Sequence, residues 1–489
     1  MNGPPQDASQ SFSVKQAQVE FHNFASLGEP ERAFRVYADE NVRRGSIIRN
    51  HREFIGPMSP FLEIGANAGH TSYMLANEFG SDGFALDLSA DALRHGLVLR
   101  DVWGLARSPV RIAGDALRLP FQDGSLRFVM TCQTLSQFLE IGAVFAEVHR
   151  VLAPGGVFLF CEEPLRRLLS LRLYRCPYYD TMKPWERRLF DWGLLGYLVK
   201  DVIGAHQEES FGIRQNHTMG LREWRALVER YFAAVEYDVF VPQRGWGERW
   251  MHWLAVRMDR HGSEWLAARL LGGTVAAVCR KPLAGRQGAS GAGAFANDFA
   301  RFEALLRCPD CHAGIARDAS DTLVCTACGY QASNDGGVYN LIRSEERKEL
   351  YPGDREDLID FSRASHAGHL LEGWYELEGD FGNKYRWVGK RASVQLTRVK
   401  EGAQRLRIRG HAHELLFRQG QPAEVNVTVN GAHLRRFPLD RSGLFILEAD
   451  LPDAPAYTVQ LDCAPLWNDS MDERNFTVNF SMIRLVQAD

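Results

Sequence analysis

Several features that would assign this chain to a membrane, secreted or nucleic-acid-binding class are missing from its 489 residues. No apolar run reaches the roughly 20 residues that a transmembrane helix requires. Residues 1–10 are polar, unlike a secretory signal. The formal net charge is only −4, which argues against broad binding to nucleic acid or an anionic membrane but leaves room for a local basic patch. These absences predict a cytoplasmic protein of two to four domains with no membrane span.

Cysteine is also scarce, and its distribution is uneven. The nine cysteines lie at positions 132, 161, 176, 279, 308, 311, 325, 328 and 463. An odd total with two tight pairs argues for metal binding in a reducing compartment and against a disulfide framework.

Two Cys-x2-Cys pairs stand out, Cys308 with Cys311 and Cys325 with Cys328. Four thiolates at this spacing suit a tetrahedral Zn²⁺ site. Rubredoxin-type iron and two disulfides are the alternatives. Because four cysteines leave no open coordination position, we interpret the metal as structural.

A strict G-x-G-x-x-G turn is absent, which makes a dinucleotide-dependent dehydrogenase the lesser option. Residues 61–72 (FLEIGANAGHTS) instead predict a short strand, a turn with Gly65 and Gly69, and a helix that begins at Thr71. Glycine lets the backbone take positive φ and lets a ligand approach closely. The free N–H groups of a helix start favour a carboxylate or phosphate.

Strand and helix patterns alternate beyond this turn. Strands are predicted at 61–64, 83–88, 110–113, 126–131, 157–161, 232–241 and 274–280, with helices between most of them. Such alternation predicts an α/β fold, a Rossmann-like parallel sheet with helices on both faces. Ligands bind such sheets at the carboxyl ends of the strands. Asp87 ends the second strand, where an acid can bind both ribose hydroxyls, and residues 114–116 end the third, where an adenine can be recognised.

Five blocks in this order resemble the class I S-adenosylmethionine-dependent methyltransferases: LEIGANAG (62–69), ALDLS (85–89), GDALRLPF (114–121), FVMTC (128–132) and EVHRVLAPGGVF (147–158). The resemblance covers roughly residues 40–281 and implies a seven-stranded methyltransferase domain, which we bound at 14–283. It further implies that Glu63, Gly65 and Gly69 bound the methionine part, that Asp87 holds the ribose and that Asp115 with Ala116 contacts the adenine. Asn67, Leu88 and Thr131 complete the predicted cofactor set.

The reaction that the resemblance implies is an in-line displacement, in which the protein mainly supplies alignment. A hydroxyl acceptor usually also needs a base. Residues 132–138 lack the Asn-Pro-Pro-Tyr sequence of many nucleic-acid amino-group methylases. The candidates for a base or a substrate contact are Glu162 and Glu163 after the fifth strand, with a structural turn as the alternative, and His217.

Residues 165–232 form an aromatic- and arginine-rich insertion with helical periodicity, predicted to be a lid over the acceptor site; plain helix packing is the alternative. The Gly/Ala/Ser-rich segment 284–298 predicts a flexible linker. Residues 299–345 resemble the small zinc ribbons that accompany some methyltransferases. The basic cluster at 43–52 is interpreted as a solvated helix face.

The last region, 346–489, changes to strand alternation, as in 425–429, with a hairpin turn at Asn430-Gly431. Regular short strands predict an antiparallel β-sandwich. The region looks like sandwich modules of bacterial cell-surface polysaccharide enzymes. Its Trp374, Tyr375 and Trp387 are either a sugar-stacking face or part of the sandwich core.

These patterns predict an S-adenosylmethionine-dependent methyltransferase that acts on a hydroxyl of a sugar or related small metabolite, in cell-surface glycan synthesis. The expected partner is a small-molecule or glycan acceptor, and acids near the ribbon, such as Glu345 and Glu346, disfavour nucleic acid. The alternatives are an RNA or protein methyltransferase guided by the ribbon, and a non-catalytic scaffold. The sequence does not assign an oligomeric state.

Overall fold

A computed structural model of the chain describes residues 15, 30–138, 140–169, 171, 173–176, 183–202, 219–243, 245–258, 266–283, 299–351, 355–361, 364–379, 384–399, 401–418, 420–440, 442–468 and 472–487. The chain divides into two compact units, of which the larger contains Pro30–Leu350 and the smaller contains Tyr351–Asp489. No helix of the described residues is long and apolar enough to cross a membrane.

A parallel sheet with one antiparallel edge forms the centre of the larger unit. Its strands run in the order β3-β2-β1-β4-β5-β9-β8, and β9 pairs antiparallel with both β5 and β8. The bounds are β1 Phe61–Ile64, β2 Gly83–Asp87, β3 Val110–Ala113, β4 Leu126–Cys132, β5 Leu152–Leu165, β8 Ala234–Phe240 and β9 Gly273–Arg280. The predicted Rossmann-like sheet is confirmed, because every predicted strand overlaps one of these.

Helices cover both faces of this sheet. Their bounds are α1 Pro30–Asn50, α2 Arg52–Ile55, α3 His70–Asn77, α4 Ala90–His95, α5 Leu97–Val102, α6 Ile141–Val151, α9 Leu221–Tyr231, α10 Gly245–Met258 and α11 Leu266–Leu271. The segment between β2 and β3 folds into two short helices, α4 and α5, which meet at Gly96. A Cβ on Gly96 would lie 1.8 Å from the Ala68 carbonyl oxygen, so the backbone there packs directly on the glycine turn.

Alternate residues of the strands supply two separate cores. Leu62 and Ile64 of β1 belong to the core on one face, whereas Phe61 belongs to the core on the other. Successive side chains of a strand point to opposite faces, so a strand buried on both sides is continuously apolar. This explains why the predicted strands are mostly apolar, with charged exceptions such as Glu63 in β1 and Arg111 in β3.

The ribbon continues the same sheet. Its strands are β10 Ala316–Arg317, β11 Thr322–Val324, β12 Gln331–Asp335 and β13 Val338–Asn340, followed by α12 Ser344–Leu350. β13 pairs parallel with β3, with Tyr339 opposite Ile112, and the Leu341 amide donates to the Ala113 carbonyl at 2.8 Å. Residues 299–345 are predicted to be a separate domain, whereas the structure joins them to the central sheet and ends the larger unit at Leu350.

The predicted lid is described only in part. It contains β6 Tyr174–Cys176, α7 Pro184–Asp191, α8 Leu195–Leu198 and β7 Val199–Val202, and β6 pairs parallel with β7. The two-stranded pair differs from the purely helical pattern predicted for 165–232. His217 and the predicted linker 284–298 lie outside the described residues.

The smaller unit is an antiparallel β structure. Its elements are β14 Leu358–Asp360, β15 Leu370–Glu378, β16 Tyr385–Thr397, β17 Gln404–Ala412, α13 Glu414–Phe417, β18 Ala423–Val429, β19 Ala432–Leu439, β20 Gly443–Asp450, β21 Ala456–Ala464, β22 Trp467–Asn468, β23 Asn475–Phe476 and β24 Val478–Gln487. The predicted hairpin joins β18 to β19 through Asn430 and Gly431, both at positive φ. Nine strands form one hydrogen-bonded sheet, and β22 pairs with β23 alone.

The proposed sugar-stacking aromatics of this unit pack on its core. The Trp374 indole donates to the Ser393 carbonyl at 2.8 Å, and the Trp387 ring lies edge-on to Trp467 at 5.5 Å. Tyr375 is half-buried against the same core. These contacts favour the core interpretation of all three side chains.

Candidate active site

The glycine turn after β1 requires two glycines for different reasons. Gly65 and Gly69 have φ of 71° and 73°, a region that side-chain-bearing residues rarely adopt. A Cβ on Gly65 would also lie 2.4 Å from the Thr134 side chain. The turn therefore brings its backbone against the loop that follows β4.

Glu63 and Asp87 hold the turn in place. Glu63 is fully buried and accepts hydrogen bonds from the Ser72 amide at 2.7 Å and the Ser72 hydroxyl at 2.5 Å. Burial raises the pKa of Glu63. Asp87 accepts from the Asn67 amide at 2.8 Å and from the Ser89 amide at 2.9 Å. Asp87 thus ties the end of β2 to the turn after β1, and Glu63 ties β1 to the first turn of α3.

A cavity of about 300 Å³ opens at the carboxyl ends of these strands. Six of the nine predicted cofactor residues line it, namely Gly65, Asn67, Asp87, Leu88, Asp115 and Ala116. Glu63, Gly69 and Thr131 are not among the described residues that line it. Thr131 is buried on β4, and its hydroxyl has no hydrogen-bond partner among the described residues.

Lys15 closes one side of the cavity. Its ammonium group lies 2.7 Å from Asp115 Oδ2 and 3.0 Å from Glu346 Oε2. Asp115 Oδ1 meanwhile accepts from the Leu117 amide at 2.9 Å. Burial opposes the charge on Lys15, but the two carboxylates outweigh burial and raise the pKa of Lys15. A residue beyond the ribbon, Glu346, is therefore linked to the predicted adenine contact.

A buried ion-pair cluster from α1 forms the opposite wall. Tyr37, Glu40 and Arg44 line the cavity together with His70. The Tyr37 and His70 rings stack at 4.3 Å, and Glu40 Oε2 lies 2.8 Å from His70 Nε2. Burial opposes ionisation of Glu40, but the hydrogen bond from His70 and the charge of Arg44 outweigh it and lower the pKa of Glu40. Burial raises the pKa of Tyr37 to about 12.

Arg44 connects this cluster to β5. It is only 4% exposed, and it donates to the Thr71 hydroxyl at 2.8 Å and to Glu162 Oε2 at 2.9 Å. The sequence analysis places residues 43–52 on a solvated face, which is wrong for Arg44. The available signal was helical spacing, since Tyr37, Glu40 and Arg44 stand at i, i+3 and i+7 on one face of α1.

The two acids predicted to follow the fifth strand lie within β5, and neither is among the described residues that line the cavity. Glu162 has a φ of 60° and pairs with Arg43 and Arg44. Glu163 is fully buried, and its carboxylate accepts the amides of Thr134, Leu135 and Ser136 at 2.8–3.0 Å. Burial raises the pKa of Glu163 to about 7. The Glu163 carboxylate therefore anchors the loop at 134–136, a role that differs from the predicted role as a base or substrate contact.

The four ribbon cysteines converge. Their Sγ atoms all lie within 4.8 Å of one another, with Cys308 3.6 Å from Cys328 and Cys311 3.5 Å from Cys325. Zinc–sulfur bonds of about 2.3 Å place tetrahedral sulfurs roughly 3.8 Å apart. The arrangement fits a closed four-thiolate zinc site.

Cys132 and Cys161 are disulfide-bonded, whereas the sequence analysis argues against disulfides. The two residues occupy paired positions on the adjacent strands β4 and β5. Their Cα atoms are consequently only 4.7 Å apart. Such a contact arises from strand register, which spacing along the chain does not reveal.

Residues 62–160 match the sequence profile of a family described as "Methyltransferase domain". A demethylmenaquinone methyltransferase of Roseiflexus castenholzii is 34% identical over 129 residues, which are 26% of this chain and 52% of that protein. A fatty-acid O-methyltransferase of Mycolicibacterium smegmatis is 30% identical over 182 residues, 36% of this chain and 60% of that protein. A norajmaline N-methyltransferase of Rauvolfia serpentina is 26% identical, with 26% and 41% covered. The chain therefore spans about half the length of these relatives.

Solved structures align with the chain more weakly. A phosphoethanolamine N-methyltransferase of Haemonchus contortus aligns with a TM-score of 0.32 and 16% identity, covering 50% of this chain and 52% of that one.

Proposed function

We propose that this chain, whose residues 62–160 form a methyltransferase domain, transfers the methyl group of S-adenosylmethionine to a hydroxyl of a small-molecule or glycan acceptor. The observation that carries the proposal is the convergence of the glycine turn, Asp87 and Asp115 on one cavity. When bound, S-adenosylmethionine supplies a methyl group already activated by its sulfonium. The residues of the chain then have to bind the cofactor and the acceptor, align them with one another and exclude water.

The donor and acceptor chemistry of the cavity fits a nucleoside. Asp87 ends β2, and Asp115 follows the adjacent parallel strand β3. Asp87 accepts the backbone amides of Asn67 and Ser89, and Asp115 accepts that of Leu117. A carboxylate oxygen has two lone-pair sites, so both groups can accept further hydrogen bonds. We assign ribose hydroxyls to Asp87, the adenine to Asp115, Leu88 and Ala116, and the methionine part to Gly65 and Asn67. Glu63, Gly69 and Thr131 support this wall from behind.

An oxygen acceptor is supported by the names of two relatives, a fatty-acid O-methyltransferase and a tocopherol O-methyltransferase. The wall after β4 supplies Gln133, Gln137 and Phe138, a mixture of amides and an aromatic ring that suits a hydroxyl-bearing ligand. A sugar hydroxyl in cell-surface glycan synthesis is our specific proposal. It rests on the resemblance of the C-terminal module alone.

The first experiment is calorimetric titration of the full chain with S-adenosylmethionine and with its demethylated product. Asp87→Asn should weaken binding about 10–100-fold, because hydrogen bonds to a charged group contribute about 1.5–3 kcal/mol. Asp101→Asn is the matched control, since the Asp101 side chain is 74% exposed. Binding by a folded wild-type protein that Asp87→Asn leaves unchanged would contradict the site assignment. An absence of binding would contradict the proposed function.

A further inference from the structure

The helix α10 presents an unusual outward face. Trp246, Trp250 and Trp253 are 68%, 52% and 48% exposed, and Leu254 and Val256 are exposed beside them. The opposite side of the helix is buried at Gly247, Glu248 and Ala255. At 100° per residue, the exposed positions span one continuous side of the helix. Large apolar surfaces of this kind mark interaction sites.

Cations intersperse this apolar face. Arg249 and Arg257 lie on the exposed side of α10, and the Arg257 guanidinium sits 3.7 Å from the centroid of the Trp253 ring. In the neighbouring segment 183–195, Lys183, Arg187 and Arg188 are exposed. The acids behave differently: Glu186 and Glu248 are buried, and Asp191 is the exposed carboxylate of the two described segments, 183–195 and 245–258.

The exposed tryptophans lie in two adjoining segments, one in the lid around α7 and one on α10. The exposed tryptophans of the described residues are Trp185, Trp192, Trp246, Trp250 and Trp253. The Gly247 amide donates to the Trp192 carbonyl at 2.9 Å, so the segment after α7 joins the start of α10. We call the exposed sides of α7 and α10, which carry Trp185, Trp246, Trp250 and Trp253, together with Trp192, the tryptophan face.

The tryptophan face begins at the edge of the sheet where the cavity opens. Phe240, at the end of β8, pairs with Thr274, which in turn pairs with Pro164 near the end of β5. The carboxyl end of β5 also carries Glu162, whose partner Arg44 lines the cavity. The chain enters α10 shortly after β8, so this helix starts at the same edge of the sheet as the one where the cavity opens.

We propose that the tryptophan face docks the larger unit on an anionic phospholipid surface. Tryptophan is enriched at membrane–water interfaces because its ring is amphipathic. An apolar helix face with basic residues lies in the interface plane and is attracted to anionic lipids. The overall charge of −4 does not oppose this local contact. Docking does not depend on the proposed methyl transfer, whereas the corollary that the acceptor is carried by a lipid rests on it.

The test is flotation of the full chain with vesicles of phosphatidylcholine alone and of equal parts phosphatidylcholine and phosphatidylglycerol. The wild-type chain should bind the anionic vesicles more tightly. The triple variant Trp246→Ser/Trp250→Ser/Trp253→Ser should bind at least about tenfold more weakly to both vesicle types, since these rings supply the buried apolar area. Arg249→Gln and Arg257→Gln should each weaken binding about fivefold on anionic vesicles only.

The matched control is Leu371→Ser/Val399→Ser/Leu466→Ser, three exposed apolar residues of the smaller unit, which should bind vesicles like the wild type. Equal binding by the tryptophan variant and the wild type would overturn the inference. So would a mass measurement in which this face mediates self-association while vesicles are not bound. Cofactor titration of the same samples separates the two proposals, because the tryptophan variant should retain wild-type cofactor affinity even if vesicle binding is lost.

Discussion

The two flanks of the central sheet differ in how the chain continues beyond them. Beyond β3, the ribbon strand β13 extends the sheet by hydrogen bonds, and four cysteines gather behind it. Beyond β5, the chain leaves the sheet into the lid, whose described helices expose tryptophan and arginine. The ribbon flank is closed by backbone pairing, whereas the lid flank keeps an apolar surface facing outward.

The difference indicates where the molecule has adaptable surface. The ribbon flank buries Leu323, Tyr330 and Tyr339 in the same core as the sheet strands, so it supports the part of the sheet that precedes Asp115. The described part of the lid leaves Trp185, Phe190 and Trp192 exposed. The ribbon flank is therefore packed into the core of the sheet, whereas the lid flank keeps exposed apolar side chains.

The largest expected effect comes from Cys325→Ser, which removes one of the four ribbon thiolates. Bound zinc should fall to a small fraction of one equivalent, and the free energy of unfolding should fall by several kcal/mol. Structural zinc supplies about 10–16 kcal/mol in isolated finger peptides, and a ribbon supported by a sheet retains part of its stability without it. Cofactor affinity should also fall, because β13 pairs with β3 immediately before Asp115. Metal analysis and urea unfolding measure the first two quantities, and calorimetry measures the third.

Cys463→Ser is the control, since Cys463 is a buried free cysteine of the smaller unit. It should retain the full zinc content. Full zinc content in Cys325→Ser would instead contradict the four-thiolate site. Undiminished cofactor affinity without zinc would show that the cavity does not depend on the ribbon metal.

An intermediate effect is expected for Glu163→Gln at the start of the lid flank. Burial raises the pKa of Glu163 to about 7, against 4.5 for an ordinary glutamate. Because the folded pKa is the higher one, the stability from the protonated form is complete below about pH 4.5 and is lost as the pH rises through 7. The wild-type protein should therefore lose about 3 kcal/mol relative to the glutamine variant across this window. Urea unfolding at several pH values measures this loss of stability.

The exposed Glu78→Gln provides a baseline, since its side chain is 55% exposed, and its stability should parallel that of the wild type at every pH. A Glu163→Gln variant with an unchanged stability profile but a transfer rate about 10²–10⁴-fold lower would return Glu163 to the role of general base. A positioning role predicts the pH-dependent stability difference instead.

Sequence patterns predicted the ribbon flank better than the lid flank, for a physical reason. The two cysteines of each pair are close in sequence, so their spacing alone indicates a common metal site. The mostly apolar sequences of β1 to β5 predict directly that these strands are buried. The cavity wall from α1 was missed because Arg44 meets Glu162 across 118 residues of chain. Tryptophans at helical spacing are equally consistent with a core or a surface, so the outward face of α10 needed coordinates.

The smallest expected effect concerns His51, which ties the N-terminal helices to β8 on the lid flank. Its ring nitrogens lie 2.6 Å from Glu236 and 2.7 Å from Asp238. Burial opposes protonation, but the two carboxylates outweigh it and raise the pKa of His51 above 6.5. The stability that His51 contributes is therefore complete below pH 6.5 and is lost as the pH rises through the raised pKa.

His51→Gln should lower the free energy of unfolding by about 1 kcal/mol or less at pH 5.5, because such partly exposed pairs are weak, and by almost nothing at pH 9. Chemical unfolding at both pH values, in a double-mutant cycle with Asp238→Asn, measures the coupling. A cost that persists at pH 9 would mean that His51 acts through packing and not through its charge.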